Sequence, residues 1–448
     1  MANLTRRSFV KGSTICLTAL GGMQLGLRMN PAQAAVTGDR FVVYLFLRGG
    51  MDGLNFVCPI AGPDRSAYEM ARPNIHIRTT GTTAALPLGT SNFGLNFAAT
   101  GLHQLYGQNK LAVVHGCGFP QGQITRSHFD AQNYLESGTP GSSMIGTGWL
   151  ARHLASAGQV PDSAIIPSLT AGSSSPISLR GRRDNMVLDD ATSFHPNANN
   201  LTLDGQPAYK FSTTKTLREL YSGTGNLDVV GTGAVDTIEL VDTLNIASYT
   251  PSAGAVYPTS GPATTLANQA KLIANIAKRN IGLQVATLDY GGWDTHENQG
   301  DGTQADLNQN QYANRVAGLS QTLNALYTDL AVSGLGDRMV VVVQSEFGRR
   351  LRENANKGTD HGSANPILLI GDRVRGGLYG TFGGLNPGQL YQNEDLATTT
   401  DYRRVLGEVV TSHLGNNDLA SVFPGYAYGS GLGVLPTDSV FASGFDSA

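Results

Sequence analysis

The chain has 448 residues, 15% of them charged, with 56 glycines and a formal net charge of −3. That length holds a large core in one big domain or two ordinary ones, and the low charge with abundant glycine argues for a loop-rich globular protein against a coiled coil or a disordered chain. The near-neutral balance argues against general attraction to nucleic acid or anionic lipid.

The first predicted element is an address. TRRSFVKG (Thr5–Gly12) places Arg6 and Arg7 before a moderately apolar stretch, and PAQAA (Pro31–Ala35) offers small residues at cleavage-site spacing. The pattern is similar to a bacterial twin-arginine export signal over residues 1–34. It predicts engagement with the twin-arginine export machinery and a periplasmic or extracellular location for residues 35–448. No later stretch reaches the ~20 apolar residues of a membrane span. Cys58 and Cys117 remain after the signal leaves with Cys16. Each follows a predicted strand, so a disulfide and burial as small core residues both stay open.

FVVYLFL (41–47) is the first strand. A helical pattern (96–109) precedes a second, KLAVVHG (110–116), and SAIIPSL (163–169) reads as a third. The stretch 171–264 is polar and rich in Gly, Ser, Thr and Pro; it reads as an insertion or cap, with an interdomain linker as the competing view. Helical spacing over 265–280 and 307–332 flanks the strands IGLQVATLDY (281–290), RMVVVVQS (338–345) and NPILLIG (365–371). Continuous apolar strands alternating with helices predict an α/β three-layer sandwich with a mostly parallel central sheet.

Polar clusters follow these strands. FLRGGMDG places Asp52 after the first; GGWDTH places Asp294 and His296 after the fourth; QSEFGRR places Glu346 after the fifth; and TDHG places Asp360 and His361 before the last. Parallel strands bring their carboxyl ends to one edge, where α/β ligand sites form. Alone, each cluster has a plain alternative: turns at Asp52, Asp294 and Asp360, and an ion pair of Glu346 with Arg349 or Arg350. Together they predict a mixed oxygen and nitrogen site for a divalent cation, since gathered carboxylates repel one another without one.

SHFDAQNYLESG (127–138) reads as a short helix stopped by Gly138. Ser127 is its N-cap, with Asp130 completing a capping-box-like pair. The same position puts its hydroxyl at the positive end of the helix dipole, where a cation would make it a nucleophile. Thr125 is the alternative hydroxyl. His128 reads as a ligand, a base or a surface residue.

Taken in order, FLRGGMDGLN, SHFDAQNYLESG, GGWDTH, SEFGR, TDHGSANPILLIGDRVRGGLYG and TDYRRVLGEVV resemble the bacterial secreted family catalogued as domain of unknown function 1501, itself related to the alkaline phosphatase and sulfatase superfamily. The resemblance implies an alkaline-phosphatase-like fold. It implies one metal set of Asp294, His296 and His361 and another of Asp52, Ser127 and Glu346, with Asp360 able to join either. Phe347 departs from the pattern, standing where a histidine ligand is usual. The reading is an exported metal-dependent hydrolase of phosphate or sulfate esters. Ser127 is its nucleophile, with one or two ions, Zn²⁺ or Mn²⁺ favoured by the imidazoles and Mg²⁺ or Ca²⁺ possible. Arg48, Arg126 and Arg349 are candidates to grip a small anionic ester, with surface ion pairs as their plainer reading. The alternative is an inactive binding or assembly protein that keeps the fold.

Overall fold

Phe41–Leu47 forms β1, and all seven residues are buried. Such a run needs cover on both faces, because successive side chains point to opposite sides. Phe41, Val43, Leu45 and Leu47 enter one core, and Val42, Tyr44 and Phe46 enter another. The computed structural model describes residues 40–142, 145–157, 164–182, 184–189, 202–203, 206–207, 213–243 and 249–437. The expected export signal lies outside them.

The other main strands are β2 (Leu111–Gly118), β3 (Ser168–Ala171), β4 (Asn185–Leu188), β5 (Val285–Tyr290), β6 (Met339–Ser345), β7 (Arg349–Glu353), β8 (Thr359–His361), β9 (Asn365–Ile370), β10 (Gly377–Tyr379) and β11 (Thr400–Asp401). The central sheet runs β10-β2-β9-β6-β1-β5-β3-β4, with β11 also on β2. Its pairings are parallel except those of β9, which is antiparallel to β6 and to β2. Helices α1 (Thr100–Gly107), α4 (Thr264–Lys278) and α5 (Gln311–Val332) contribute to the core on one face. On the other lie α2 (His128–Ser137), α3 (Trp149–Ser156) and α6 (Tyr402–Glu408). This is the expected three-layer α/β arrangement.

Three details differ from the sequence reading. The third strand starts only at Ser168, directly after Pro167, which has no N–H for a ladder. The stretch 171–264 supplies β4, a four-residue strand parallel to β3, so part of it belongs to the sheet. Cys58 and Cys117 are free buried thiols, each pointing at a backbone carbonyl in a different core cluster, so the disulfide alternative falls away.

The reversal of β9 positions the site. Strands β1, β2, β5 and β6 leave the sheet at one edge, and β9 enters it from that edge. The residues just before β9 therefore meet those just after the others. β8 and β7 form a ribbon there, with Arg349 opposite His361.

Candidate metal centre

Four side chains meet at this edge. Asp294 and His296 follow β5, His361 ends β8, and His128 opens α2. His361 Nε2 is 3.1 Å from Asp294 Oδ1 and 2.9 Å from His296 Nε2. His296 Nε2 is itself 3.1 Å from Asp294 Oδ1, and His128 Nε2 is 3.4 Å from Asp294 Oδ2. Ligand atoms of His128, Asp294 and His361 all lie within 4.8 Å of one another.

The outer nitrogen of each ring decides what the inner one offers. His128 Nδ1 is 2.8 Å from Glu346 Oε1, His296 Nδ1 is 3.2 Å from Asp360 Oδ1, and His361 Nδ1 is 2.8 Å from the Arg126 carbonyl. Carboxylates and carbonyls only accept, so each Nδ1 carries the hydrogen. In the neutral rings every Nε2 is then a lone pair, and three lone pairs converge with a carboxylate. Two such nitrogens 2.9 Å apart have no hydrogen to share. His128 Nε2 is buried without a hydrogen-bond partner. A divalent cation would satisfy His128, Asp294 and His361 together, with His296 Nε2 adjoining the latter two, and histidines held through Nδ1 by carboxylates and carbonyls are how proteins orient metal ligands. The residues fit such an ion.

Charge points the same way. Asp294, Asp360 and Glu346 gather here against the Arg349 guanidinium, which donates to Asp294 Oδ1 at 2.6 Å. Partial burial opposes ionisation of Asp294, but the Arg349 bond and charge and the imidazoles outweigh it and hold its carboxyl at about 2. Burial likewise opposes ionisation of Glu346, and His128 with the surrounding backbone N–H groups holds it below its usual range. The Glu346 bond raises His128, whereas burial lowers His361.

Glu346 is not placed as a ligand. Its Oε1 accepts from Gly49 N at 2.8 Å, His128 Nδ1 at 2.8 Å and Gln132 Nε2 at 3.1 Å, and Oε2 lies 2.9 Å from Ser345 Oγ. Asp360 stands behind His296, also accepting from Asn354 Nδ2 at 3.1 Å.

Asp52 is a clearer correction. It is fully buried and paired at 2.6 Å with Arg72, also fully buried. Gln299 Nε2 donates to the same carboxylate at 2.6 Å. Arg72 is held further by Asn55 Oδ1 and the carbonyls of Leu351 and Arg350. Asp52 thus already has a cation, a guanidinium twenty residues on, and the second metal set of Asp52, Ser127 and Glu346 is not assembled.

The guanidinium candidates are also engaged. Arg48 bonds Asp289 at 2.7 Å, Gln132 at 3.2 Å and Glu136 at 3.3 Å. Arg126 bonds Asp395 through Nε at 2.9 Å and Nη2 at 2.5 Å. Arg349 donates to the carbonyls of Gly50 and Thr359 at 2.6 and 2.8 Å. Each would have to exchange an internal partner to hold a ligand.

Ser127 is the N-cap of α2, its Oγ accepting from Asp130 N at 3.4 Å. It sits between Arg126, whose carbonyl takes His361, and His128. Thr125 Oγ1 accepts from Ser127 N at 3.1 Å. Phe347, the expected gap in the ligand set, is a plate: its ring lies 4.9 Å from that of His128 and 4.8 Å from that of His361, centre to centre. The third imidazole comes from α2 instead. Sequence reasoning missed Arg72, Gln132 and the role of Phe347. Only Gln132 left a local signal, one helical turn after His128.

A model of the family described as "Protein of unknown function (DUF1501)" matches residues 238–416, the segment carrying GGWDTH, SEFGR and TDHG. The resemblance read from those motifs is shown there. Among solved structures, the chain is similar to the phosphonate monoester hydrolase of Agrobacterium radiobacter at 11% identity, over 87% of this chain and 79% of that one, with a TM-score of 0.33. It is similar to the C-terminal periplasmic domain of EcEptC from Escherichia coli, in complex with Zn, at 11% identity over 75% of each chain, TM-score 0.36. The alkaline phosphatase of the Antarctic bacterium TAB5 is also similar, at 11% identity over 75% of this chain and 93% of that one, TM-score 0.29. No curated protein matches the sequence.

Proposed function

From a segment that matches a family of unknown function, we propose that this chain is an exported hydrolase of phosphate or sulfate esters, dependent on a divalent ion held by His128, Asp294, His296 and His361. One observation carries the reading: three imidazoles, each with Nδ1 committed to an acceptor, turn Nε2 toward one carboxylate, that of Asp294. Imidazole-rich sets favour Zn²⁺ or Mn²⁺ over Mg²⁺ or Ca²⁺. When bound, the ion supplies a Lewis acid that offsets charge on an ester oxygen and eases loss of a nearby hydroxyl proton.

The chain's own groups do the rest. Ser127 Oγ, beside His128 at the positive end of α2, is the nucleophile of this proposal. Its attack forms a bond from Oγ to phosphorus or sulfur as the bond to the ester oxygen breaks; the Oγ proton ends on the departing alcohol, and water then cleaves the seryl ester, releasing phosphate or sulfate and restoring the Ser127 hydroxyl. The first N–H groups of α2 point out of the helix end and suit the group's anionic oxygens. Export by the twin-arginine route is part of the same proposal. Among the described residues no helix is long and apolar enough to cross a membrane.

The internal pairing of Arg48, Arg126 and Arg349 favours a second reading, an ion-holding protein without turnover. A panel of phospho- and sulfo-esters given to metal-replete protein separates the two. Turnover lost in Ser127→Ala with the ion retained supports the hydrolase; a loaded wild-type protein inert across the panel contradicts it.

A further inference from the structure

Glu346 and Gln132 carry an inference that rests on the metal reading above but can fail independently of it. We propose that Glu346 is a positioning residue for His128, not a ligand, and that Gln132 in turn holds Glu346 in place.

The geometry follows from donor and acceptor types. The Glu346 side chain is fully buried, and His128 Nδ1 approaches it at 2.8 Å. An ionised carboxylate has no hydrogen to give, so His128 Nδ1 must donate. Neutral histidine then has one tautomer, with Nε2 bare and turned to Asp294. Gln132 follows His128 by one helical turn, so the two side chains share a face of α2. The Gln132 amide has one sensible orientation. Arg48 Nη1, which only donates, lies 3.2 Å from Oε1, and Glu346, which only accepts, lies 3.1 Å from Nε2. Arg48 is fixed by Glu136 and Asp289. A chain of bonds therefore runs from Arg48 through Gln132 and Glu346 to His128. It ties the ends of β1 and β6 to the first two turns of α2.

His296 has the same kind of partner in Asp360, but that carboxylate is 47% exposed against 0% for Glu346. Water can replace Asp360 as acceptor. Nothing replaces Glu346. The positioning effect is therefore concentrated on His128.

The test uses the whole mature protein with ¹⁵N-labelled histidine. In wild-type protein stripped of metal, at a pH where His128 is neutral, nitrogen shifts should report the Nδ1–H tautomer for His128, assigned by comparison with His128→Asn. Glu346→Gln and Gln132→Met should mix the tautomers. Zn²⁺ affinity, read by competition with a chromophoric chelator, should fall about ten- to hundred-fold in Glu346→Gln, less in Gln132→Met and least in Asp360→Asn. Should Glu346→Gln fail to fold, the wild-type tautomer and Gln132→Met carry the test. An Nε2–H tautomer in the wild type overturns the proposal. So does unchanged tautomer and affinity in folded Glu346→Gln, or complete loss of binding there while Asp294→Asn still binds, which would make Glu346 a ligand. Wild-type protein with the expected tautomer but no Zn²⁺ affinity supports the positioning and contradicts the metal reading.

Discussion

Replacing Arg72 with Met separates a structural Asp52 from a metal-binding one. Arg72 is fully buried and donates to Asp52, Asn55 and two backbone carbonyls. Methionine roughly keeps the volume of the stem and removes the charge. Asp52 would keep Gln299 Nε2 and Asn55 N as donors but lose its cation. Breaking a buried pair in this way costs about 3–5 kcal/mol, because it strands an uncompensated charge. A typical domain has about 5–15 kcal/mol in total, so the urea midpoint should drop sharply. Asp52→Asn combined with Arg72→Met should recover part of the loss, since no lone charge remains. Metal content of folded Asp52→Asn should match wild type. A loss under about 1 kcal/mol in Arg72→Met, or a folded Asp52→Asn protein stripped of its ion, would show that Asp52 serves a metal and not Arg72.

Other expectations follow from burial around the same framework. Burial pushes His115, His153 and His413 down to about 4 each. The unfolded chain takes up these protons near the usual 6.5 and the folded chain does not, so stability is full above that value. It falls as pH drops from about 6.5 towards 4, by up to about 3 kcal/mol per histidine; denaturant titrations across that range check it. Gly50→Ala should weaken ion binding and stability together: Gly50 has φ +64°, and a Cβ there would lie 2.4 Å from the Phe347 ring that supports His128 and His361. Chelator competition and thermal unfolding read both effects. Cys58 and Cys117 should resist thiol reagents in native protein and react on unfolding, since burial pushes the Cys58 thiol up to about 12 and the Cys117 thiol higher still.

The sequence foretold the sheet better than the connections between its polar groups. β1, β6 and β9 fall almost residue for residue on their apolar runs, because a strand buried on both faces is apolar along most of its length, with polar residues such as Gln344, Ser345 and Asn365 confined to its ends. The meeting of Asp294, His296, Asp360 and His361 was legible from strand ends alone. It survives the reversal of β9 because Asp360 and His361 precede that strand, whereas Asp294 and His296 follow β5. Asp52 was misread because a carboxylate after a strand looks the same with a metal or a guanidinium beside it. Arg72 has no pattern that announces its partner. Glu346 was assigned as a ligand for a similar reason: composition reveals a carboxylate at the edge, but only coordinates reveal that backbone and side-chain donors already surround it. Phe347 looked like a lost ligand, and its ring-packing role needed three dimensions. β4 was hidden by its four-residue length inside a polar stretch.

Counting and identifying the ions in protein folded in the cell, with X-ray absorption on the same sample, decides whether the imidazole cluster holds a metal. Each chain should hold a single divalent ion with imidazole nitrogens in its inner sphere, and lose that ion in His128→Asn and His361→Asn alike. A folded protein with no affinity for divalent metals, or an ion that survives both substitutions, would contradict the metal reading.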